Sequence, residues 1–164
     1  MAKVFDHSTH DKLPNVVLRN FGGHYISGSG LTEYPFSKIL DGKTDIRHSW
    51  VSQVGGTNEN RFDKKGVELA FTKIVKLQSF EIVTMSDGTI FKDAYKKVCF
   101  YTDGSLIGCT ADDFVPAPGS TINFVDKFAT MDLVGKSFSL LFKDTGLKQF
   151  AQIAEFKASF FEQG

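Results

Sequence analysis

Net charge is the first thing this sequence lacks. Nineteen Lys and Arg residues cancel nineteen Asp and Glu, so the chain offers no long-range field to a polyanion, which argues against nucleic acid as a partner. Long apolar runs are missing too, since no uncharged stretch approaches the ~18 residues of a membrane helix, and no membrane insertion is expected. The opening Met1-Ala2-Lys3-Val4-Phe5-Asp6-His7 shows no apolar segment after its Lys, so no secretory signal is visible. A leader removed ahead of Met1 would leave the same beginning, and localisation stays open between cytoplasm, virion and exterior. Signatures of catalysis are absent as well: there is no nucleotide-binding Gly loop, no Gly-x-Ser-x-Gly elbow, no His-x-His pair and no Cys-x-x-Cys. The chain is expected to bind rather than catalyse.

Cysteine occurs twice, at Cys99 and Cys109 on either side of a turn at Asp103-Gly104. A two-residue turn sets Cys99 opposite Gly108, and a three-residue turn with Gly104 left-handed sets it opposite Ile107. Neither register puts the sulfurs face to face, and a diagonal pair lies at roughly 7–8 Å. The expectation is two free, mostly buried thiols, as in a reducing compartment or a particle assembled in one.

Tryptophan occurs once and tyrosine four times against 17 Phe among 164 residues, a skew that suits two sheets packed face to face across a wide aromatic core. The length makes one domain that buries about 70% of its unfolded surface. Residues 1–14 contain Asp6, His7, His10 and Asp11; two His three apart, with no third ligand on a rigid element, read as a polar arm instead of a metal site. From 15 to 164 the chain reads as a single domain. Asn15–Phe21 is a first strand ended by Gly22-Gly23, and 24–33 is a Gly- and Ser-rich surface loop. Residues 53–66 form a long polar loop. From Val67 the apolar residues alternate, with Val75 and Leu77 on one parity and Phe80 and Ile82 on the other, so a β-bulge is expected at Gln78-Ser79. Asp87-Gly88 is a turn. Strands follow at Tyr95–Thr102, Ser105–Thr110, Thr121–Val125 and Ser137–Phe142, with Gly135 and Asp144-Thr145-Gly146 as punctuation. Residues 147–161 fit either a helical stripe (Leu147, Phe150, Ala151, Ala154, Ala158, Phe161) or a strand (Ala154, Phe156, Ala158, Phe160), and the pattern alone leaves both open. About eight strands without a convincing helix between them argue for a sandwich, not a βαβ fold.

The stretch that organises the chain runs from Tyr34-Pro35 through Leu40-Asp41-Gly42 and Thr44 to Trp50-Val51-Ser52. Gly42 supplies a positive φ, Asp41 bonds its own downstream backbone, and Trp50 pins the loop to a core. This order of features resembles the signature of discoidin, or factor V/VIII C-type, domains among the galactose-binding-like sandwiches. Three further places carry the resemblance: Lys96–Leu106, Gly135–Phe142 and Ala154-Glu155-Phe156, so that it runs from about Asn15 to Phe161. It implies an all-β, antiparallel, jelly-roll sandwich, and it resolves 147–161 in favour of a closing strand.

The resemblance also implies a site. In many such domains the Asp-Gly loop holds a structural Ca²⁺, and the corresponding ligands here are Asp41, Thr44 and Glu155. Lys43 departs from the pattern, and the plain alternative is Asp41 capping its own turn with Glu155 paired to Lys43. Lectin branches read galactose or fucose with His and Arg at the loop end over an aromatic face, which points to Arg47, His48 and His24, although the fucose-lectin Arg-Gly-Asp motif is absent. Trp50 is assigned to packing. The functional expectation is a carbohydrate- or cell-surface-binding module, with a glycan or surface protein as partner. The alternative is a structural or attachment component of a virus or phage particle, forming homo-oligomers or assembling with other particle proteins.

Overall fold

The computed structural model describes residues 1–53, 64–87, 97–143 and 150–163. Most of the 53–66 loop, Gly88, the start of the Tyr95 strand, the Asp144-Thr145-Gly146 punctuation and Leu147 lie outside them. Among the described residues there are ten strands, all paired antiparallel: β1 (Lys3–Phe5), β2 (Val16–Phe21), β3 (Trp50–Val51), β4 (Gly66–Val83), β5 (Val98–Thr102), β6 (Ser105–Cys109), β7 (Thr121–Asn123), β8 (Leu133–Phe142), β9 (Gln152–Ile153) and β10 (Glu155–Glu162). The architecture is an all-β sandwich, and the 147–161 ambiguity resolves as a strand from Glu155 onward.

β4 is the axis. Its first half lies between β2 (Val16↔Phe71 to Phe21↔Gly66) and β8 (Gly66↔Leu141 to Ala70↔Ser137), and β5 and β6 extend the layer beyond β8. Its second half pairs with β10, which carries β1 on its far side, and its end pairs with β7. The expected bulge is present: Ser79 faces Ser159 but Leu77 faces Phe160, so Gln78 is the extra residue. Past that point the even positions Phe80 and Ile82 turn inward, both fully buried. Phe80 meets Phe100 of the other layer at 5.0 Å and Phe156 at 4.9 Å, while Phe71 meets Phe160 at 4.7 Å and Phe138 at 5.9 Å. These edge-to-face and tilted rings are what the Phe-rich composition fills the core with.

Gly66 sits where β4 comes closest to β8. A Cβ there would lie 1.9 Å from the Leu140 carbonyl oxygen, and its φ of +155° is one that side chains rarely adopt.

Four expectations need correction. Residues 3–5 are not part of a free arm, because β1 pairs with β10 and Phe5 is buried against Phe156 at 6.1 Å. Phe124 and Val125 do not extend a strand; the Asn123 side chain accepts the Val125 N–H at 3.1 Å and starts the short helix α1 (Phe124–Phe128). Gly135 does not punctuate but lies inside β8, where the missing side chain makes room for the Asp103 carboxylate. That carboxylate accepts the N–H groups of Lys136 at 3.0 Å and Ser137 at 2.9 Å, which docks the β5–β6 turn onto β8.

The fourth correction concerns the thiols: Cys99 and Cys109 are joined in a disulfide, with Cα atoms 4.1 Å apart. The two-residue turn is present, with Asp103 and Gly104 both at positive φ and Thr102 facing Ser105. One step on, the register shifts: Tyr101 faces Leu106 but Phe100 faces Gly108, so Ile107 is an extra residue and Cys99 lands opposite Cys109. The inference of a reducing compartment falls with the free thiols.

A thiol titration of the denatured protein without reductant is expected to find no free thiol, and two after reduction. Replacing both cysteines by serine should lower stability by about 2–3 kcal/mol, from the chain entropy of a loop this short. Two thiols before reduction would restore the opposite reading.

Candidate functional site

The Tyr34–Gln53 segment is held at both ends. Pro35 precedes a 3-10 turn (Phe36–Leu40) that buries Ile39, and Trp50 is fully buried, edge-on to Phe36 at 5.3 Å. The Trp50 indole N–H donates to the Gly23 carbonyl at 2.8 Å, so the packing role assigned to Trp50 also ties two loops together. β3 pairs with β9, and Tyr25 donates its N–H to Val51 O at 2.7 Å. Between them the loop is fastened to the exit of β4: the Ser86 N–H reaches Thr44 O at 2.9 Å, and the Ile46 N–H reaches Asp87 Oδ1 at 2.8 Å.

Asp41 and Glu155 are brought together. Gly42, at φ +77°, turns its N–H onto Glu155 Oε1 at 3.0 Å, while Asp41 Oδ1 accepts the Lys43 N–H at 2.9 Å and caps its own turn. The second oxygens, Asp41 Oδ2 and Glu155 Oε2, are buried without a hydrogen-bond partner among the described residues. Burial, the largest influence, pushes the Glu155 carboxyl up to about 8; the Gly42 N–H opposes it and the Asp41 charge adds to it. Lys43 is not the partner of Glu155. His7 takes that place, with Nδ1 3.8 Å from Glu155 Oε2 and its ring close over Gly42. Thr44 turns to Ser86 instead, hydroxyl to hydroxyl at 3.4 Å. Among the described residues, no three His, Cys, Asp or Glu side chains form a metal-binding group.

Arg47 and His48 form a second 3-10 turn, Ile46–His48. His48 Nδ1 lies 2.6 Å from Asp45 Oδ1, and Ser49 Oγ donates to Asp45 O at 2.9 Å. Slight desolvation raises the Asp45 carboxyl, but the His48 hydrogen bond and charge and nearby backbone N–H groups outweigh it and hold the group below the usual carboxylate range. With Nδ1 committed to Asp45, Nε2 is the ring nitrogen left for a ligand. Arg47 is exposed and has no ion pair among the described residues. His24 is set apart: it faces Glu33 at 3.9 Å across a hairpin, and no hydrogen bond or ion pair joins it to Arg47 or His48 among the described residues.

The aromatic backing joins Tyr34 and Phe150 to a residue the sequence pattern did not single out, Tyr25. Tyr25 packs on Tyr34 at 6.0 Å and edge-on to Phe150 at 5.9 Å, in a small cluster with Val51, Met85 and Ile46. Ile46 thus roots the Arg47–His48 turn in an aromatic patch separate from the main core. Tyr25 lay in a Gly- and Ser-rich stretch that read as loop, and only the hydrogen bonding of Tyr25 to Val51 and Tyr34 shows why it is ordered.

No family model and no curated protein matches the sequence. Solved structures match over most of the chain. The C-terminal domain of a chitobiase from Bacteroides fragilis is 16% identical, with a TM-score of 0.59 over 92% of this chain and 97% of that one. An F-lectin (fucolectin) from striped bass serum, Morone saxatilis, is 12% identical, with a TM-score of 0.60 over 90% of this chain and 46% of that one. A family 32 carbohydrate-binding module of Clostridium perfringens NanJ, solved in complex with galactose, is 15% identical, with a TM-score of 0.55 over 97% of this chain and 99% of that one. At these identities the likeness is one of fold, and the fold of this protein is the discoidin-like, galactose-binding-like β-sandwich.

Proposed function

We propose that this protein is a non-catalytic carbohydrate-binding module that reads a sugar of the galactose or fucose class at the loop end carrying Arg47 and His48. The observation that carries the proposal is the Asp45–His48 pair beside the exposed Arg47, rooted through Ile46 in the Tyr25–Tyr34–Phe150 cluster. Arg47 offers a planar fork of donors to sugar hydroxyls, and His48 Nε2 offers a second hydrogen-bonding group beside it. His24, on the neighbouring hairpin, is the outer candidate contact. Structures of the same fold include a fucolectin and a module holding galactose, which supports the choice of ligand. Nothing in these likenesses favours a virus or phage particle component.

Calcium belongs to the same proposal as a structural cation. Asp41 and Glu155 fit it, because each keeps one buried carboxylate oxygen without a hydrogen-bond partner among the described residues. When bound, the cation would neutralise two crowded carboxylates and fix the Asp41-Gly42 turn to the start of β10. Thr44, the third ligand the sequence suggested, has its hydroxyl on Ser86 and would have to turn from it to join the cation, and Lys43 is absent from the cluster.

A glycan array followed by calorimetry with galactose and fucose tests the binding proposal. Arg47→Ala should abolish binding while leaving the melting temperature nearly unchanged. A wild-type chain that binds no glycan on the array would remove the proposal.

Calcium and pH provide an independent check. In calcium-free buffer an acid raised from 4.5 to about 8 on folding makes the native state the better proton binder, so stability should fall as pH rises across that window. Glu155→Gln should flatten this dependence. Calcium at about a hundred times its dissociation constant should add about 2.7 kcal/mol to the wild type, and nothing to the Gln variant. A wild type indifferent to calcium would exclude the cation without touching the sugar site.

A further inference from the structure

The outer face of the β2–β4–β8–β5 layer carries a groove that the loop-end site leaves unused. Register across these strands sets Arg19 opposite Glu68, Glu68 opposite Ser139, and Ser139 opposite Tyr101. The next outward row sets Phe21 opposite Gly66 and Gly66 opposite Leu141. The alternate positions, Leu69, Phe138, Leu140 and Phe100, point into the core. Apart from Arg19 and Gly66, the two outward rows line a groove of about 320 Å³ together with Ser137 and Gly104. The two aromatic margins, Phe21 and Tyr101, stand three strand spacings apart, roughly 14 Å.

The chemistry along this groove is ordered. At its middle the Glu68 carboxylate is held by Arg19, whose Nε donates to Oε1 at 2.7 Å, and by Ser139 Oγ at 3.4 Å from Oε2. Glu68 therefore presents a fixed acceptor, and the Arg19 charge is committed to it. At the two margins the charge has no carboxylate partner among the described residues: Lys64 Nζ lies 5.6 Å from the Phe21 ring centroid and Lys143 Nζ 5.3 Å from that of Tyr101.

We propose that this face is a second glycan-binding site, taking an extended acidic oligosaccharide laid across the strands. The extended character follows from ring faces on β2 and β5 with two strands between them, which suit the apolar faces of successive sugars, and the acidic character from the two ammonium groups beside those rings, which have no carboxylate partner among the described residues. That the ligand is a glycan rests on the loop-end reading above and on Glu68, whose acceptor oxygens need a ligand rich in hydroxyl donors. A phosphate backbone has none to offer there.

The test uses the full chain and three acidic probes, trigalacturonate, a heparin-derived tetrasaccharide and sialyllactose. Free galactose and single-stranded oligothymidylate serve as comparisons. At least one acidic probe should bind, more weakly as salt rises, and should shift the backbone amides of Ser137, Ser139 and Tyr101. Arg47→Ala should retain that binding. Lys64→Ala combined with Lys143→Ala should weaken it roughly tenfold, the size expected for two exposed ion pairs, without changing the melting temperature or galactose binding. Acidic probes bound in the double lysine variant but lost in Arg47→Ala would overturn the second site and leave the loop end standing. So would galactose bound with no acidic probe bound. Acidic probes bound at the groove with galactose and fucose unbound would uphold the groove and remove the loop-end site. Oligothymidylate bound at the groove in preference to all three acidic probes would overturn the glycan assignment.

Discussion

An 18-residue strand carries more backbone donors and acceptors than one pair of neighbours can satisfy, and β4 is that strand. It commits its first half to β2 and β8, its second half to β10 with residues 75–77 still on β8, and its last residues to β7. The ladder breaks in two places, between Ala70 and Val75 against β8 and at Gln78 against β10. Added residues of this kind bend a strand and increase its twist. Passing from one layer to the other, β4 carries Phe71 against Phe138 and Phe160, and then Phe80 against Phe100 and Phe156. The aromatic core follows from this single shared strand, and so does the placement of every loop hung from its ends.

What the sequence disclosed, and what it withheld, divides by range. The parity switch at Gln78-Ser79 was legible because alternation on either side is long enough to show two phases. The extra residue at Ile107 was not, since five-residue strands leave too few positions to reveal a shift, and a one-residue error was enough to separate two cysteines that in fact meet. Gly135 looked like punctuation because its reason for being glycine, the Asp103 carboxylate, comes from another hairpin. Phe124 and Val125 continued a strand pattern until the Asn123 side chain intercepted the backbone. β1 was too short to read: a single buried residue, Phe5, anchors it.

The candidate site shows the same division. The two ends of the motif, Asp41 and Glu155, were named from sequence 114 residues apart and lie together, because the Gly42 N–H reaches across to the carboxylate. His7 was read as part of a polar arm, since its place over Gly42 depends on β1 docking beside β10. Thr44 sits within the expected loop, yet the exit of β4 competes for it through Ser86. Arg47 and His48 were legible as a pair. The Asp45 partner that fixes the imidazole, and the aromatic patch beneath, are tertiary facts.

The pairing of β1 with β10 has a consequence for how such a sandwich is joined to other things. Lys3 and Glu162 are bonded at 2.7 Å, so the polypeptide enters and leaves the fold at one corner. Glu155, seven residues back along β10, lies roughly 23 Å from that corner at the usual rise per strand residue. A host chain spliced at Lys3 and Glu162 would hold this fold as a pendant on a narrow stalk, its own two ends scarcely parted. The Asp41–Glu155 corner would then face away from the host.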